Sequence, residues 1–544
     1  MGLSLHMSIV PVIMMVVSLQ VWLPLGCMEE ERTALLQLKD SLNYPTGTSL
    51  PSWRKGDVRC CDWELVECSS STGRVTGLNL GRKRNGDLGD WYLNASLFLP
   101  FQELITLYLW DNQIAGWVEN KGLTNVSTLY LNNITAYGSS FQTLLQSLGA
   151  FPNLTKLDLG NNNLRGKISG DGFLNLKNLE LLDLSYNTLN NINIFQTIGT
   201  MTSLKSLNLQ GCSLNGQLPT SQGFLNLTNL EFLDMSGSTL NSGSIFQAIG
   251  TKTSLKTLNL QGCSLNGQLP TSQDFLNLTN LEFLDMSGST FNSGSIFQAI
   301  GTMTSLKTLN LQDCSLNGQL PTAHGLCDLN HLRELSISFN DLSGFLPPCL
   351  TNLTSLRRLD LSSNHLKIPM SLSPLYNLSK LKSFYGSDNE IYTEEADHNL
   401  SPKFQLEFLY LSSRGQFAGA FPKFLYHQFN LQSLYLTNIQ IKGEFPSWLI
   451  ENNTYLKHLY LENCSLSGPF LLPRSSHVNL SILSISMNHF QGQIPTEIGA
   501  YLPGLQGLLM FDNGFKGSIP SSLGSMSSLR LKSLSSAPTN ELSM

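Results

Sequence analysis

Leu406-Glu407-Phe408-Leu409-Tyr410-Leu411 is one occurrence of the pattern that decides the fold, Leu-x-x-Leu-x-Leu. The last two leucines alternate with an exposed residue, as a short strand requires. One such strand cannot bury its apolar side alone, so we predict that successive strands pair in parallel, about 4.8 Å apart, and share one core. The first position of the pattern, which is leucine except for Val126, recurs at residues 104, 126, 154, 179, 204, 230, 255, 281, 306, 332, 356, 381, 406, 431, 456, 480 and 505.

A fixed period of roughly 20 to 29 residues with this core is the signature of the leucine-rich repeat. It predicts an α/β repeat solenoid with a parallel β-sheet on its concave face, and binding along that face as its expected work. Residues 201–251 and 252–302 are nearly identical and indicate a tandem duplication. We divide the chain into a signal peptide at 1–26, an N-terminal cap at 27–74, about 18 coils at 75–528 and a divergent tail at 529–544.

The start of the chain indicates export. Residues 8–25 are mostly apolar, contain two prolines and are followed by Glu29-Glu30-Glu31, which is typical of a cleaved secretory signal peptide. The alternative is a signal anchor that stays in place. No other stretch reaches the ~18 apolar residues of a membrane span, so the chain as given has no predicted transmembrane helix.

Four cysteines, Cys27, Cys60, Cys61 and Cys68, lie before the first repeat, where a solenoid needs a cap for its open apolar end. A small cap gains much from crosslinks in an oxidising compartment. We expect the disulfides Cys27–Cys60 and Cys61–Cys68, although four cysteines allow three pairings. A bond between the adjacent Cys60 and Cys61 would be strained.

The other cysteines lie among the repeats. Each member of one set comes three residues after the last strand leucine, where other coils have asparagine, and we interpret these as buried structural thiols: Cys212, Cys263, Cys314 and Cys464. Cys327 and Cys349 lie one coil apart, and they either bridge two coils or remain separate thiols.

A tail that follows the strands, such as Leu342-Ser343-Gly344-Phe345-Leu346-Pro347 or Phe490-Gln491-Gly492-Gln493-Ile494-Pro495, resembles the plant-type leucine-rich repeat. Its glycine permits a bend and its proline ends the edge segment. The segment before the repeats resembles the plant repeat N-terminal domain through Arg32, Ala34, Leu35, Leu36, Lys39, Trp53, Cys60-Cys61, Trp63 and Cys68. From Met1 to about Leu529 the chain therefore resembles the ectodomain of plant leucine-rich-repeat receptor-like proteins.

This resemblance implies a plant-type repeat arc with a disulfide-bonded cap, entry into the secretory pathway, and a place in the apoplast or, in a longer form, at the plasma membrane. It also implies signalling through a partner receptor kinase in defence or development. Such receptors normally continue into a C-terminal cysteine cap, an acidic spacer and a single membrane helix, and this sequence departs from that pattern. We interpret it as a truncated receptor, with a secreted short form as the alternative.

One column of residues suggests where a ligand binds. The residue between the second and third strand leucines points away from the core, and it is tyrosine in four consecutive coils, at Tyr385, Tyr410, Tyr435 and Tyr460. Tyrosine offers a large contact area and a hydroxyl, which suits a peptide, glycan or protein ligand. We predict a binding surface there, helped by Glu407, Lys457 and His458. The alternative is that the tyrosines only pack across strands.

Ten Asn-x-Ser/Thr sites are predicted to carry glycans on the surface of an exported chain, at Asn94, Asn125, Asn133, Asn153, Asn226, Asn277, Asn352, Asn377, Asn452 and Asn479. Several of them come shortly before a strand, so that glycans there would leave the concave face open.

Other functions find little support in the sequence. The net charge is −6 and no basic run occurs, so nucleic acid is an unfavourable partner. Signatures of zinc proteases, serine hydrolases, phosphate-binding loops and kinases are absent, and we expect no enzyme activity, metal or cofactor. Three hypotheses remain: a receptor ectodomain, a secreted protein similar to polygalacturonase inhibitors, and an inactive fragment of a receptor.

Overall fold

The chain divides into two compact units, Met1–Leu240 and Asn241–Met544, and each contains a run of coils with short strands. The predicted signal peptide at 1–26 lies outside the described residues. The computed structural model describes residues 27–118, 124–148, 151–162, 176–189, 193–214, 222–239, 244–263, 265, 275, 277–291, 296–394, 401–414, 418–533 and 542–543.

The cap opens the first unit. Its helix Glu29–Asn43 starts with three glutamates, which favour a helix N-terminus, and it buries Leu35, Leu38 and Leu42 on one face. Disulfides join Cys27 to Cys60 and Cys61 to Cys68, with Cα–Cα distances of 5.6 and 5.7 Å. Both predicted pairings are confirmed.

Arg84 ties the cap to the coils. Its side chain is buried, and its guanidinium donates to the carbonyl oxygens of Leu42 (2.9 Å), Tyr44 (3.1 Å), Leu88 (2.9 Å) and Gly89 (3.0 Å). Leu42 and Tyr44 belong to the end of the cap helix, whose last carbonyls have no partner within the helix. Burial lowers the pKa of Arg84. The carbonyl oxygens replace the hydrogen bonds that the guanidinium would make to water.

The main sheet of the first unit is parallel except at its first pair, where Val66–Cys68 runs antiparallel to Val75–Asn79. The middle leucines of successive strands stand in register, as Leu107 opposite Leu129 shows, and they are fully buried. Its strands are Val66–Cys68, Val75–Asn79, Thr106–Tyr108, Thr128–Tyr130, Lys156–Asp158, Leu181–Asp183, Ser206–Asn208 and Phe232–Asp234.

The main sheet of the second unit is parallel throughout. Its last strand lies beyond residue 528, the end of the coils predicted from the sequence. In this strand Lys532 stands opposite Leu508, at a position where earlier coils have an apolar residue. The strand can still pair, because the hydrogen bonds between strands involve only backbone groups. The strands are Thr257–Asn259, Phe283–Asp285, Thr308–Asn310, Glu334–Ser336, Arg358–Asp360, Ser383–Tyr385, Phe408–Ser412, Ser433–Thr437, His458–Glu462, Ile482–Ser484, Gly507–Leu509 and Leu531–Ser533.

Short side sheets, also parallel, follow the main strands. The glycine of the plant-type tail bends the chain at their edges, with φ of +84° at Gly344, +88° at Gly492 and +93° at Gly517. The side strands are Trp91–Asn94 and Ile114–Val118 in the first unit, and in the second Asn317–Gln319, Asp341–Phe345, His365–Pro369, Glu390–Tyr392, Ala418–Ala420, Gln440–Lys442, Ser467–Pro469, His489–Gly492, Gly514–Phe515, Gly517–Ser518 and Leu542–Ser543.

Short helices occupy the segments that return the chain to the next strand. Among the described residues, the α-helices after the cap are Gly138–Leu148, Asn193–Ile198 and Gln222–Leu225 in the first unit and Ser244–Ile249, Ile296–Ile300, Ser447–Asn452 and Ile498–Tyr501 in the second. The 3-10 helices are Cys60–Asp62, Gly86–Leu88, Ala95–Phe98, Gly325–Asp328, Pro348–Asn352, Ser373–Leu375, Lys423–His427 and Ser521–Leu523.

In many coils an asparagine or a cysteine lies under the loop that follows the strand and bonds backbone groups there. Buried Asn364 donates to the carbonyl oxygens of Leu361 (3.1 Å) and, in the preceding coil, Ile337 (2.9 Å), and accepts from the backbone N–H of Leu342 (3.1 Å). At the same position, the buried thiol of Cys314 donates to the Met286 carbonyl (3.2 Å).

Burial raises the pKa of the Cys314 thiol to about 12, so it stays a protonated donor, as a structural thiol should. Cys464 makes the same contact with the Leu436 carbonyl at 3.0 Å. Cys327 and Cys349, for which the sequence left two options, form a disulfide between two coils.

Candidate ligand-binding site

The four predicted tyrosines form a stack of rings on the exposed side of the second unit's sheet. Parallel register places them opposite one another, because Tyr385 pairs with Tyr410, Tyr410 with Tyr435 and Tyr435 with Tyr460. Their ring centroids are 4.9, 4.2 and 4.3 Å apart, and the ring planes differ by 26°, 12° and 12°. All four side chains are half-buried. We call these four residues the tyrosine ladder.

Stacking decides which atoms of the ladder a ligand can reach. Tyr410 and Tyr435 each have a neighbouring ring on both faces, so neither face is open to a flat ligand group. Ring edges and hydroxyls remain as the contact surface. Burial, together with the neighbouring phenols, raises the pKa of Tyr435, and burial also raises the pKa of Tyr410. Their hydroxyls therefore stay protonated and can both donate and accept hydrogen bonds.

Arg358 covers one end of the ladder, a role that the sequence pattern did not reveal. Its guanidinium carbon lies 4.3 Å from the centroid of the Tyr385 ring, and Nη1 donates to the Tyr385 hydroxyl at 3.1 Å. Nη2 also lies 3.6 Å from a carboxylate oxygen of Asp360. The sequence could have indicated this role, because Arg358 lies two residues before the position that corresponds to the ladder, in the coil next to Tyr385. At the other end, Ser484 stands opposite Tyr460 and brings no ring.

The three polar residues predicted beside the ladder lie along its flank, but they differ in burial and in the partners they contact. Glu407 is half-buried and forms an ion pair with Lys382 at 2.5 Å. His458 is half-buried and shares a 3.0 Å hydrogen bond with Ser433, and burial and the Lys457 charge lower its pKa. Lys457 is exposed. Of the three, Lys457 is the most accessible to a ligand.

The aspartates and asparagines that hold the ladder position in other coils have local structural partners. Asn310 donates to Asp285 at 2.8 Å, and the other oxygen of Asp285 accepts from the Ser287 backbone at 2.9 Å. In the first unit, Asn208 donates to Asp183 at 2.7 Å. These side chains hold the turns that follow their strands, so they have structural partners within the protein.

A second, smaller tyrosine stack lies in the first unit. Tyr108 and Tyr130 stand opposite each other in register, and their rings are 4.4 Å apart and 9° from parallel. Burial raises the pKa of Tyr130. This pair has the same local geometry as the ladder and provides an internal control for it.

The predicted glycosylation positions are accessible. Eight of the ten asparagines are exposed, and Asn94 and Asn452 are half-exposed. The side chains of Asn153 and Asn479 donate to carbonyl oxygens of the preceding coil, Thr124 and Thr454, at 2.8 Å each. Glycosylation at these positions stays a prediction.

Across the described residues there is no cluster of three or more histidine, cysteine or acidic side chains that could hold a metal ion. Within the same part of the chain, none of the helices combines the length and apolarity that crossing a bilayer requires.

Family models match most of the repeat region. A leucine-rich repeat region model matches residues 185–393 and 253–467, a leucine-rich repeat model matches 152–214, and a leucine-rich repeat N-terminal domain model matches 28–69. Cuscuta receptor 1 of Solanum lycopersicum is 32% identical over 592 residues, covering 89% of this chain and 51% of that protein. Receptor-like protein 14 of Arabidopsis thaliana is 34% identical over 562 residues, covering 94% and 47%.

Solved structures share the fold. The crystal structure of PEPR1–AtPEP1 has a TM-score of 0.62 at 24% identity, covering 94% of this chain and 75% of that chain. The Arabidopsis receptor kinase HAESA, in complex with the peptide hormone IDA and the co-receptor SERK1, has a TM-score of 0.51 at 24% identity, covering 93% and 94%. The chain spans about half the length of the curated relatives it matches. It belongs to the leucine-rich repeat family, with a leucine-rich repeat N-terminal domain as its cap, and its curated relatives are plant receptor-like proteins.

Proposed function

We propose that the chain is the ligand-binding part of a plant cell-surface receptor-like protein, and that it binds a peptide across the tyrosine ladder. The observation that carries this proposal is the unbroken stack of four half-buried tyrosines, whose hydroxyl edges form one row on the exposed side of the sheet. Aromatic residues with a polar tip are enriched where proteins bind partners.

The occluded ring faces favour a peptide over a sugar. A sugar stacks on the open face of an aromatic ring, and the faces of Tyr410 and Tyr435 are occupied by their neighbours. An extended peptide instead needs donors and acceptors at regular intervals for its backbone, together with apolar edges for its side chains. The ladder supplies both at the spacing of the strands, about 4.8 Å.

The cell-surface setting has separate support. Disulfides in the cap and between two coils suit an oxidising, extracellular compartment. The curated relatives are receptor-like proteins. Signalling through a partner receptor kinase, in defence or development, is proposed by analogy with these relatives and with the HAESA complex, which contains a co-receptor.

The test separates the ladder hydroxyls from the packing of the rings. We would measure binding of fluorescent positional-scanning heptapeptide mixtures to the secreted chain and to a Tyr410→Phe/Tyr435→Phe variant. Phenylalanine keeps the stack and removes the hydroxyls, so we expect a loss of affinity of about 5- to 30-fold, since one or two lost hydrogen bonds are worth about 1 to 2 kcal/mol. The melting temperature should change little.

Tyr108→Phe/Tyr130→Phe is the matched control, because it makes the same change in the other stacked pair. It should leave binding unchanged. Oligogalacturonate and xyloglucan fragments serve as the carbohydrate arm. Equal affinity of the wild type and the ladder variant for every peptide mixture, or a ladder-dependent affinity for the oligosaccharides alone, would contradict the proposal.

A further inference from the structure

A column of charged side chains runs beside the tyrosine ladder, at the position that directly follows the first leucine of each repeat. Successive members are adjacent rungs of the sheet: the backbone N–H groups of Arg333, Arg357 and Lys382 donate to the carbonyl oxygens of Lys307 (2.7 Å), Arg333 (2.7 Å) and Arg357 (2.9 Å). Four cations therefore follow one another at the spacing of parallel strands, about 4.8 Å.

The two outer cations are neutralised within the column. Lys307 forms an ion pair with Glu282 at 2.7 Å, and Lys382 forms one with Glu407 at 2.5 Å. Side-chain exposures of 38% to 55% for the lysines leave both pairs at the surface.

The two inner cations, Arg333 and Arg357, differ from their neighbours. Both are exposed, and neither forms an ion pair with any carboxylate in the described part of the chain. Glu334 follows Arg333 in sequence, but it stands opposite Arg358 in register. Glu282, whose pKa is lowered mainly by its hydrogen bond to Lys307, also feels the charge of Arg333, but more weakly than that of Lys307. Arg358 itself is engaged by Tyr385 and Asp360.

Arg333 and Arg357 carry charges of the same sign on adjacent rungs of the sheet, where like charges disfavour each other, and both side chains are exposed. Each carries a planar fork that matches a carboxylate in two parallel hydrogen bonds. A carboxylate placed between them would remove the repulsion and use both forks. Arg333 and Arg357 therefore present the chemistry of an anion site that the protein itself does not fill.

We propose that Arg333 and Arg357 bind a carboxylate of the peptide ligand, which makes the ligand an acidic peptide whose neighbouring residues cross the tyrosine ladder. This inference rests on the proposed function of the ladder. Four strand spacings, about 19 Å, separate the rung of Arg357 from the rung of Tyr460. An extended peptide covers that span with about six residues. The ligand thus has its carboxylate at one end of a segment of six or more residues.

The experiment compares heptapeptide mixtures that carry glutamate at one fixed position with mixtures that carry glutamine there. We expect glutamate at a terminal position to improve binding to the wild type about 10- to 100-fold, the usual range for charged hydrogen bonds. Arg333→Gln/Arg357→Gln should abolish that preference. Arg333→Lys/Arg357→Lys, which keeps the charge but loses the forks, should restore only part of it.

The control variant Lys516→Gln/Arg530→Gln removes the same charge from two exposed positions in the last coils and should bind like the wild type. Circular dichroism melts verify that each variant folds. The inference is overturned if the double glutamine variant retains the preference for glutamate, or if the wild type binds glutamate and glutamine mixtures equally.

The two proposals fail in different ways. Loss of binding in the Tyr→Phe variant with no effect of the arginine variant would leave the peptide-binding ladder standing and remove the anion site. Binding of oligogalacturonate through the arginines, with no peptide bound, would overturn the peptide assignment of both. No binding of any peptide mixture would overturn both as well.

Discussion

A substitution of Lys252 can measure the free-energy cost of a buried positive charge in the core of the second unit. The duplicated blocks place Met201, Lys252 and Met303 at the same position of the repeat, and all three are 0% exposed. Lysine can match the length of methionine with its methylene stem, but its amine then lies in the core. We predict that Lys252→Met stabilises the protein.

The size of the effect follows from the pKa of the amine. Burial lowers the pKa of Lys252 from 10.5 to about 8, and each pH unit between these values corresponds to about 1.4 kcal/mol. Below pH 8 the buried amine is charged and costs about 3 kcal/mol relative to its neutral form. Between pH 8 and 10.5 the unfolded chain binds more protons than the folded one, so stability rises with pH. From pH 6.5 to 9 the wild type should therefore gain about 1.4 kcal/mol relative to Lys252→Met.

Urea unfolding followed by circular dichroism at pH 6.5, 7.5 and 9 measures this difference. At pH 6.5 the free energy of unfolding of Lys252→Met should exceed that of the wild type by about 2 to 3 kcal/mol. This difference should become smaller as the pH rises. Lys516→Met, at an exposed position, is the matched control and should show neither effect. Parallel stability curves for the wild type and Lys252→Met would refute the reasoning, because they would mean that the amine reaches water in the folded state.

Two further predictions concern buried polar anchors. Asn364→Ala should destabilise the second unit by roughly 1 to 3 kcal/mol, because it leaves the N–H of Leu342 without its acceptor. The carbonyl oxygens of Ile337 and Leu361 lose one donor each but keep Asn340 and Asn389. Asn364→Cys should lose less, because Cys314 shows that a thiol can donate at this position, and equal urea midpoints for the two variants would contradict this. Arg84→Lys should lower the free energy of unfolding of the first unit by about 2 to 4 kcal/mol, because an ammonium group cannot reach all four carbonyl oxygens that the guanidinium contacts. Hydrogen exchange should show the loss of protection first in the cap helix. Unchanged exchange in that helix would mean that Arg84 does not hold it to the coils.

Much of the fold was predictable from the repeat period. Leucine at fixed intervals implies strands in register, and register in turn places residues such as Tyr410 and Tyr435 opposite each other. The adjacency of Cys60 and Cys61 argued against a bond between these two, but it left two pairings of the cap cysteines open, and the structure shows Cys27–Cys60 and Cys61–Cys68, as expected. The fate of Cys327 and Cys349 was not, since a spacing of one coil permits both a disulfide and two separate thiols.

The sequence by itself determined the coils, the parallel ladder, the cap and the column of tyrosines, because each depends on a period and on which side of a strand a residue points. Tertiary structure alone decided what those side chains meet. It showed that the ring faces of the ladder are covered, that Arg358 closes one end, and that Arg333 and Arg357 lack the carboxylates that neutralise Lys307 and Lys382. Such contacts connect residues about 25 positions apart in the sequence. They depend on side-chain rotamers and on burial, and a repeat pattern determines neither of these.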